Sequence, residues 1–181
     1  AQQTWFLLLS NKTMKSPLAL LFFTISSFNV FAQNTFYVPD DFSSIQSGID
    51  GIQNGDTLIV RNGTYIENIN FNGKAITLKS ENGALVTRID GSGAIGSVVK
   101  FISGEGADSI LEGFSIINGF IDYRLNNSYA GGIDCIGSSP TINDCVIRNN
   151  TSYAPINAAR SSGGMYVGYG SAPAINDCTF T

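Results

Sequence analysis

Short runs of apolar residues, separated by glycine and asparagine, dominate the chain after residue 35. Turn residues such as Asn62-Gly63 and Asn72-Gly73 follow the runs closely. This pattern predicts short β-strands joined by tight turns. The first predicted strands are Phe36 to Val38, Thr57 to Val60, Thr64 to Ile66, Asn68 to Phe71, Ala75 to Leu78, Val86 to Ile89 and Val98 to Ile102.

One segment has the spacing of a helix instead. Its apolar residues recur every three or four positions, which places them on one face of a short amphipathic helix. They are Phe42, Ile45, Ile49 and Ile52. Asp40 or Asp41 is expected to cap the N-terminus of this helix.

The last third of the chain repeats itself, since Gly131 to Ile147 returns with similar residue types as Gly163 to Phe180. Matched columns at one period predict successive coils of a solenoid, with like residues stacked about 4.8 Å apart. The apolar columns, spaced by 31 and then 33 residues, are Leu111, Ile142 and Ile175; Phe114, Cys145 and Cys178; and Ile116, Ile147 and Phe180. Asn118 and Asn149 keep the first spacing and predict an asparagine ladder at a bend.

A β-sandwich of short strands is the alternative, but it gives no reason for matched columns at one period. We therefore predict an all-β fold, a parallel β-helix, in which the amphipathic helix lies as a cap across the N-terminal end. Such a cap covers both the apolar core and the unpaired strand edges. At the other end Thr181 falls inside an unfinished coil, which predicts an N-terminal fragment of a longer protein.

Residues 14–32 have the three-part layout of a secretory signal peptide. Met14-Lys15 opens a basic region, Leu18 to Ile25 is an apolar run, and Ala32 provides a small residue for cleavage. The apolar run is too short for a membrane anchor, so we expect no membrane insertion of the mature chain. The expected organisation is an upstream leader at 1–13, the signal peptide at 14–32, and a β-helix domain at 33–181 that is truncated at its C-terminal end.

Composition and charge exclude several classes of partner and of catalytic site. Only 13% of the residues are charged, and the net charge is −4. An acidic chain of this kind argues against nucleic acid or anionic lipid as a partner. The chain contains no histidine, which excludes Ser-His-Asp catalysis, Cys-His catalysis and histidine-based metal sites from it.

Several short motifs in residues 36–93 occur together and resemble the opening of the pectin-lyase-like, right-handed parallel β-helix superfamily. The motifs are Val38-Pro39, Ser44-Ile45-Gln46, Gly55-Asp56-Thr57, Gly63-Thr64-Tyr65, Glu67-Asn68-Ile69, Gly73 to Leu78 and Ile89-Asp90-Gly91. Leu111 to Gly119 and the two cysteine-containing repeats look like right-handed β-helix repeat proteins of secreted bacterial origin. The resemblance implies a right-handed parallel β-helix and, in the enzyme branches, extracellular carbohydrate chemistry.

The motifs of those enzyme branches do not occur in this chain. The polygalacturonase-like branch needs Gly-His-Gly, and the pectate-lyase-like branch needs Trp-Ile-Asp-His, whereas the single tryptophan here is Trp5 in the leader. The Asp-Phe-Ile-Phe-Gly element of the pectinesterase-like branch is also absent. We therefore predict no catalytic residue in this fragment, and an enzyme would carry its active site beyond Thr181.

Tyrosine and arginine side chains form the candidate ligand site. The repeats are interrupted by two excursions, Phe120 to Ala130 and Thr151 to Ser162, and insertions of this kind map to one face of a solenoid. Aromatic rings stack on sugars and arginine pairs with uronate carboxylates; the alternative is exposed residues with no ligand. The candidates are Tyr123, Arg124, Arg148, Tyr153, Arg160 and Tyr166.

Two further residue pairs are candidates for chemistry. Asp144 and Asp177 occupy equivalent positions and are expected to stack about 4.8 Å apart, a separation that a calcium site or a pair of catalytic carboxylates would tolerate. Each follows an asparagine just before a predicted strand, which is a common bend, so we favour turn residues. We expect no cofactor, with calcium as the alternative. Cys145 and Cys178 share a column, which is compatible with a buried thiol ladder or with a disulfide, while Cys135 belongs to a neighbouring face.

The sequence thus favours a secreted or cell-surface β-helix scaffold that binds extracellular polysaccharide or another cell-surface ligand through loops on one face. The first alternative is a polysaccharide lyase or glycoside hydrolase with a downstream active site. The second is a surface adhesin or structural stalk. Fold alone does not decide among them, because function belongs to the sites that a fold carries.

Overall fold

The computed structural model describes residues 32–122, 129–153 and 162–181. One helix, α1 (Ile45–Gly51), and a single 3-10 turn (Gly91–Gly93) interrupt a series of strands in this part of the chain. The strands are β1 (Thr35–Val38), β2 (Thr57–Val60), β3 (Gly63–Ile66), β4 (Ile69–Asn70), β5 (Thr77–Ser80), β6 (Thr87–Asp90), β7 (Val99–Phe101), β8 (Ile110–Glu112), β9 (Ser115–Ile117), β10 (Phe120–Asp122), β11 (Ile133–Ile136), β12 (Thr141–Asn143), β13 (Val146–Arg148), β14 (Thr151–Tyr153), β15 (Met165–Gly168), β16 (Ala174–Asn176) and β17 (Thr179–Phe180).

Parallel pairing arranges most strands into three stacks. Sheet A has the order β1-β2-β5-β8-β12-β16, sheet B has β3-β6-β9-β13-β17, and sheet C has β4-β7-β11-β15. The chain visits A, then B, then C before it returns to A, so each circuit is one coil of a solenoid. This arrangement confirms the predicted parallel β-helix, in which each strand pairs with its counterpart one coil away.

The predicted apolar columns are confirmed. Ile142 pairs with Leu111 on one side and Ile175 on the other, and Ile147 lies between Ile116 and Phe180 in the same way. These alternating residues point into the coil, where Leu111, Ile116 and Ile142 are fully buried. The third column, Phe114 over Cys145 over Cys178, runs along the short turns that join sheet A to sheet B, and both Phe114 and Cys145 are fully buried.

The predicted bend at Asn118 and Asn149 also exists, but its chemistry differs. Both residues adopt the left-handed conformation, with φ of 57° and 55°. Asn118 Nδ2 donates to Asp90 Oδ2 at 3.0 Å. The side chain that satisfies the backbone at this bend is Asn150, which accepts from Gly119 N at 2.8 Å and donates to the Ile116 carbonyl at 2.9 Å.

Helix α1 packs its apolar stripe against the core, as predicted. Ile45 and Ile49 are fully buried and Ile52 is almost so. Gly48 permits the close approach, since a Cβ there would lie 2.5 Å from the Leu58 side chain. The helix contacts β1, β2 and β4, and therefore serves as a cap on strands of the first coils.

The predicted capping residue of α1 was wrong. Ser44 is the N-cap, because its hydroxyl accepts from Ser47 N and Ser47 Oγ accepts from Ser44 N in a reciprocal capping box. Asp41 is engaged elsewhere, accepting from Tyr37 N at 2.7 Å, and Asp40 pairs with an arginine. Both aspartates lie before the turn that leads into the helix, too early to reach its first amides.

The two excursions lie on the same side of the solenoid where they are described. β10 and β14 open them and pair in parallel, with Asp122 opposite Tyr153. A parallel bridge joins Ala130 to Ser162 where the excursions return to the coil. The predicted location of both insertions on one face is therefore supported by their pairing with each other.

Candidate functional site

The outer face of sheet C carries a column of polar side chains. Asn70, Lys100, Asp134 and Tyr166 are in register on successive strands, and their neighbours in each strand point into the core. The alternation follows from the two-residue period of a strand, which sends one set of side chains inward and the next set outward. At about 4.8 Å per strand, three steps give a strip about 14 Å long.

Three tyrosines gather at one end of this strip. The rings of Tyr129 and Tyr166 stack with centroids 4.8 Å apart and an interplanar angle of 25°. Tyr169 lies 6.5 Å from Tyr129, and its side chain is largely exposed. Gly168 makes room for the Tyr166 ring, because a Cβ at this glycine would lie 2.6 Å from ring and hydroxyl atoms.

Asp134 holds the excursion that delivers Tyr129 to the strip. The side chain is only 1% exposed. Its Oδ1 accepts from Ala130 N at 2.6 Å and its Oδ2 accepts from Tyr129 N at 3.0 Å. A carboxylate that binds two consecutive backbone amides fixes the path of the chain at that point, so the position of the Tyr129 ring depends on Asp134.

The electrostatics of Asp134 reflect this buried position. Burial raises the pKa of its carboxyl above the ordinary value, while the N–H donors of Tyr129 and Ala130 and the charge of Lys100 act in the opposite direction. Lys100 is its direct neighbour on β7. The part of the strip that a ligand can reach therefore combines an ammonium group, an amide and stacked phenol rings, which can donate and accept hydrogen bonds from a hydroxyl-rich ligand. The Asp134 carboxyl is buried and positions Tyr129 instead.

A second polar region accompanies β10 and β14. Asp122 is 6% exposed and lies opposite Tyr153, whose side chain is half exposed. Along the chain, each of its two strands follows a strand of sheet B and precedes a strand of sheet C. It therefore places one predicted candidate, Tyr153, beside a carboxylate that the sequence analysis had not selected.

The structure separates the other predicted candidates. Arg148 lies at the end of β13 on the outer face of sheet B, next to Ile117, and Tyr166 lies on sheet C. They occupy different sheets, so the described residues do not bring these two candidates into one column. Tyr123, Arg124 and Arg160 lie outside the described residues.

Asp144 and Asp177 have the geometry of turn residues. Both adopt the left-handed conformation, with φ of 51° at each, and asparagine and aspartate tolerate this conformation well. Among the described residues, no group of three or more histidine, cysteine, aspartate or glutamate side chains comes together in a way suited to a metal ion. The calcium alternative therefore remains an expectation without a ligand cluster in this part of the chain.

A shallow depression of about 280 Å³ lies on another side of the solenoid. Its lining comes from strands and turns of sheet A and the residues just before them, not from the tyrosine strip. The lining residues are Gln33, Gly55, Ala75, Thr77, Asp108 and Ile110. With a single carboxylate and no aromatic ring in that set, it offers a poorer ligand site than the strip on sheet C.

Sequence reasoning missed Tyr129, Lys100 and Asp134. A usable signal existed for Asp134, because the repeat aligns it with Tyr166 when Gly131-Gly132 is matched to Gly163-Gly164. This alignment predicts that Asp134 and Tyr166 are neighbours on adjacent strands, as observed. No signal existed for Tyr129, whose position beside Tyr166 depends on the contact of its backbone with Asp134.

No protein-family model matches this chain, and no curated protein matches it. Within the described ranges, no helix has both the length and the apolar character needed to cross a membrane.

Proposed function

We propose that this chain is a secreted or cell-surface β-helix scaffold that binds extracellular polysaccharide along the outer face of sheet C. The observation that carries the proposal is the tyrosine cluster of Tyr129, Tyr166 and Tyr169 at the end of a polar column. Aromatic rings present an apolar face that suits the C–H face of a sugar, and a phenol hydroxyl adds a hydrogen bond at the rim.

The shape of the strip favours a polymer over a small ligand. Asn70, Lys100 and Tyr166 are the partly exposed members of a column that runs along the solenoid axis for about 14 Å. An open strip of this length fits an extended chain with repeated hydroxyl groups. An enclosed pocket, by contrast, is the usual site for a small molecule.

The secretory part of the proposal comes from the leader at 14–32. The polysaccharide part is also favoured by the resemblance to the pectin-lyase-like superfamily, many members of which act on extracellular carbohydrate. The net charge of −4 disfavours a polyphosphate such as nucleic acid as the ligand.

Affinity electrophoresis tests the proposal. The purified chain is run in gels that contain single neutral or uronate-rich polysaccharides, and we expect at least one polymer to retard it. Tyr166→Ala should abolish most of the retardation, whereas Tyr37→Ala should not. Tyr37 is the matched control, because it is an outward-facing tyrosine on sheet A, where it lies under the Arg61 guanidinium.

Other outcomes contradict the proposal. Retardation that survives Tyr166→Ala places the ligand elsewhere on the chain. Release of new reducing ends or unsaturated products from any polymer replaces the scaffold with an enzyme. Absence of retardation for every polymer favours an adhesin or stalk with a protein partner.

A further inference from the structure

Cys145 and Cys178 are stacked in adjacent coils. Cys145 directly precedes β13 and Cys178 directly precedes β17, and the residues on either side keep the same register. Adjacent parallel strands are about 4.8 Å apart, which falls within the Cα separation that a disulfide requires. The two cysteines therefore satisfy the first geometric condition for a covalent bond without movement of the backbone.

A direct contact joins the two residues, since Cys145 N donates to Cys178 Sγ at 3.4 Å. The Cys178 thiol also donates to the carbonyls of Asn176 at 3.3 Å and Ile142 at 3.6 Å, so it must turn away from these carbonyls to bond with Cys145. Cys145 is fully buried, and Cys178 is partly buried.

We propose that Cys145 and Cys178 form a dithiol that is oxidised to an inter-coil disulfide by a small-molecule disulfide, such as oxidised glutathione. The proposal rests on the stacked geometry and is independent of the proposed polysaccharide binding. A secretory route supplies an environment in which disulfides form and persist.

The two cysteines differ in pKa, and this difference assigns the attacking and the resolving cysteine. The hydrogen bond from the Cys145 thiol, together with the Cys145 N–H, lowers the pKa of Cys178 to about 7. The same hydrogen bond and burial raise the pKa of Cys145. The thiolate is the attacking species in exchange reactions, so Cys178 is the attacking cysteine and Cys145 the resolving one.

The reaction proceeds in two exchanges. Cys178 thiolate attacks one sulfur of oxidised glutathione, the glutathione S–S bond breaks, and one glutathione thiolate leaves and takes up a proton. Cys145 then loses its proton to solvent and attacks the Cys178 sulfur of the mixed disulfide, which expels the second glutathione. Two protein thiols are oxidised to one disulfide, and one glutathione disulfide is reduced to two thiols.

Cys135 provides an internal comparison. It is fully buried on the inner side of β11, and its thiol donates to the Ser138 carbonyl at 3.0 Å. Burial raises the pKa of Cys135. It lies in a different sheet from the pair, so we expect it to stay reduced under conditions that oxidise Cys145 and Cys178.

The bond would join two coils around the strands of the candidate site. The segment between the cysteines contains β14 and β15, which carry Tyr153 and Tyr166. Cross-linking its ends restricts the unfolded chain and opposes separation of the last coils. Oxidation therefore should stabilise the part of the solenoid that presents these two tyrosines.

Peptide mapping tests the proposal on the intact chain. The reduced protein is incubated with oxidised glutathione between pH 5 and 9, quenched with acid, and mapped by mass spectrometry without reduction. We expect a mass lower by about 2 Da and a linked peptide pair that contains Cys145 and Cys178. The rate should rise with pH and reach half of its maximum near pH 7, and the Tm should rise by about 5–10 °C.

Variants make the result specific. Cys135→Ala should still form the bond, whereas Cys178→Ala should lose it and should take up no glutathione at Cys145. A stable glutathione adduct on Cys178, or a bond that includes Cys135, overturns the proposal. So does a chain that stays reduced while iodoacetamide alkylates Cys178, because that result shows an accessible sulfur that Cys145 does not reach.

Discussion

The carboxylate of Asp134 binds the backbone N–H groups of Tyr129 and Ala130 and so holds these two residues against sheet C. Tyr129 N lies 3.0 Å from one oxygen, and Ala130 N lies 2.6 Å from the other. Asp134 is also the direct neighbour of Tyr166 on the next strand. One buried carboxylate therefore connects the strand that carries the Tyr166 ring with the loop that carries the ring stacked on it.

Asp134→Asn should lower stability and weaken binding together. Tyr129 N is shared between both carboxylate oxygens, and Ala130 N donates to Oδ1. With the amide oxygen at the Oδ1 position, the NH2 group replaces Oδ2 and places a donor 3.0 Å from the Tyr129 N–H. We expect a loss of about 1–3 kcal/mol in the free energy of unfolding, measured by urea denaturation. Asp108→Asn, at an exposed carboxylate, should change the free energy by less than about 0.5 kcal/mol; an equal loss in both variants would contradict a special role for Asp134.

The pH dependence of stability should carry opposite contributions from two buried aspartates. The pKa of Asp134 is raised in the folded chain, chiefly by burial. The folded state then holds a proton that the unfolded state has released, so the contribution of Asp134 to stability is full below its unfolded pKa of about 4 and decreases as pH rises towards the folded pKa. The difference in unfolding free energy between the parent chain and Asp134→Asn should therefore shrink over that interval.

Asp56 should behave in the opposite way. Backbone N–H donors, first that of Gln53 and then that of Asn34, lower its pKa. Its contribution to stability is present above the unfolded pKa of about 4 and is lost as pH falls through the lower folded pKa. Asp56→Asn should flatten the acid side of the stability curve, and an acid side with the same slope as the parent would refute this assignment.

The coil architecture could be predicted because it depends on local patterns that repeat. The period-2 alternation in each strand and the spacing of 31 and 33 residues between columns place Leu111, Ile142 and Ile175 in one stack. The N-cap residue of α1 was harder to predict, because Ser44 and Asp41 are both good N-cap residues. The choice between them depended on Asp41 being engaged by the Tyr37 amide.

The candidate site was only partly predictable for a related reason. Tyr166 was selected because aromatic rings stack on sugars, and its position on sheet C follows from the repeat. Tyr129 is held beside it by the Asp134 carboxylate, and hydrophobic periodicity carries no information about such a contact. A buried carboxylate that binds backbone amides looks, in the sequence, like any polar residue in a strand.

Gly168→Ala should displace the Tyr166 ring from the stack and leave the stability of the fold largely unchanged. A methyl group there would meet the ring and hydroxyl of Tyr166 at 2.6 Å, so the flexible side chain must move away from its place in the stack. We expect polysaccharide retardation to fall at least several-fold with a modest change in Tm. Gly106→Ala is the control, because a methyl group at Gly106 meets open space, and loss of retardation in that variant would point to a nonspecific effect.

Glu105 should prove one of the most important polar residues for stability. It is 2% exposed, and its carboxylate accepts from Gly73 N at 2.8 Å, Ser103 N at 2.8 Å and Ser138 Oγ at 2.7 Å. These donors belong to the turns that precede sheet A in three successive coils, so one side chain joins the coils together. Glu105→Ala removes the acceptor shared by these three donors, of which the Ser138 hydroxyl is buried, and we expect a loss of about 2–4 kcal/mol in the free energy of unfolding.

The comparison with Glu112→Ala decides whether that loss reflects the buried network. Glu112 forms an ion pair with Lys79 at 2.6 Å on the outer face of sheet A, where both side chains are partly exposed. Surface pairs of this kind contribute about 0–1 kcal/mol because water screens the charges. Urea denaturation of both variants should therefore give a clearly larger loss for Glu105→Ala. If both variants lose less than about 1 kcal/mol, the Glu105 carboxylate does not hold these turns. The pairing of the strands on either side would then be enough to keep the coils in register.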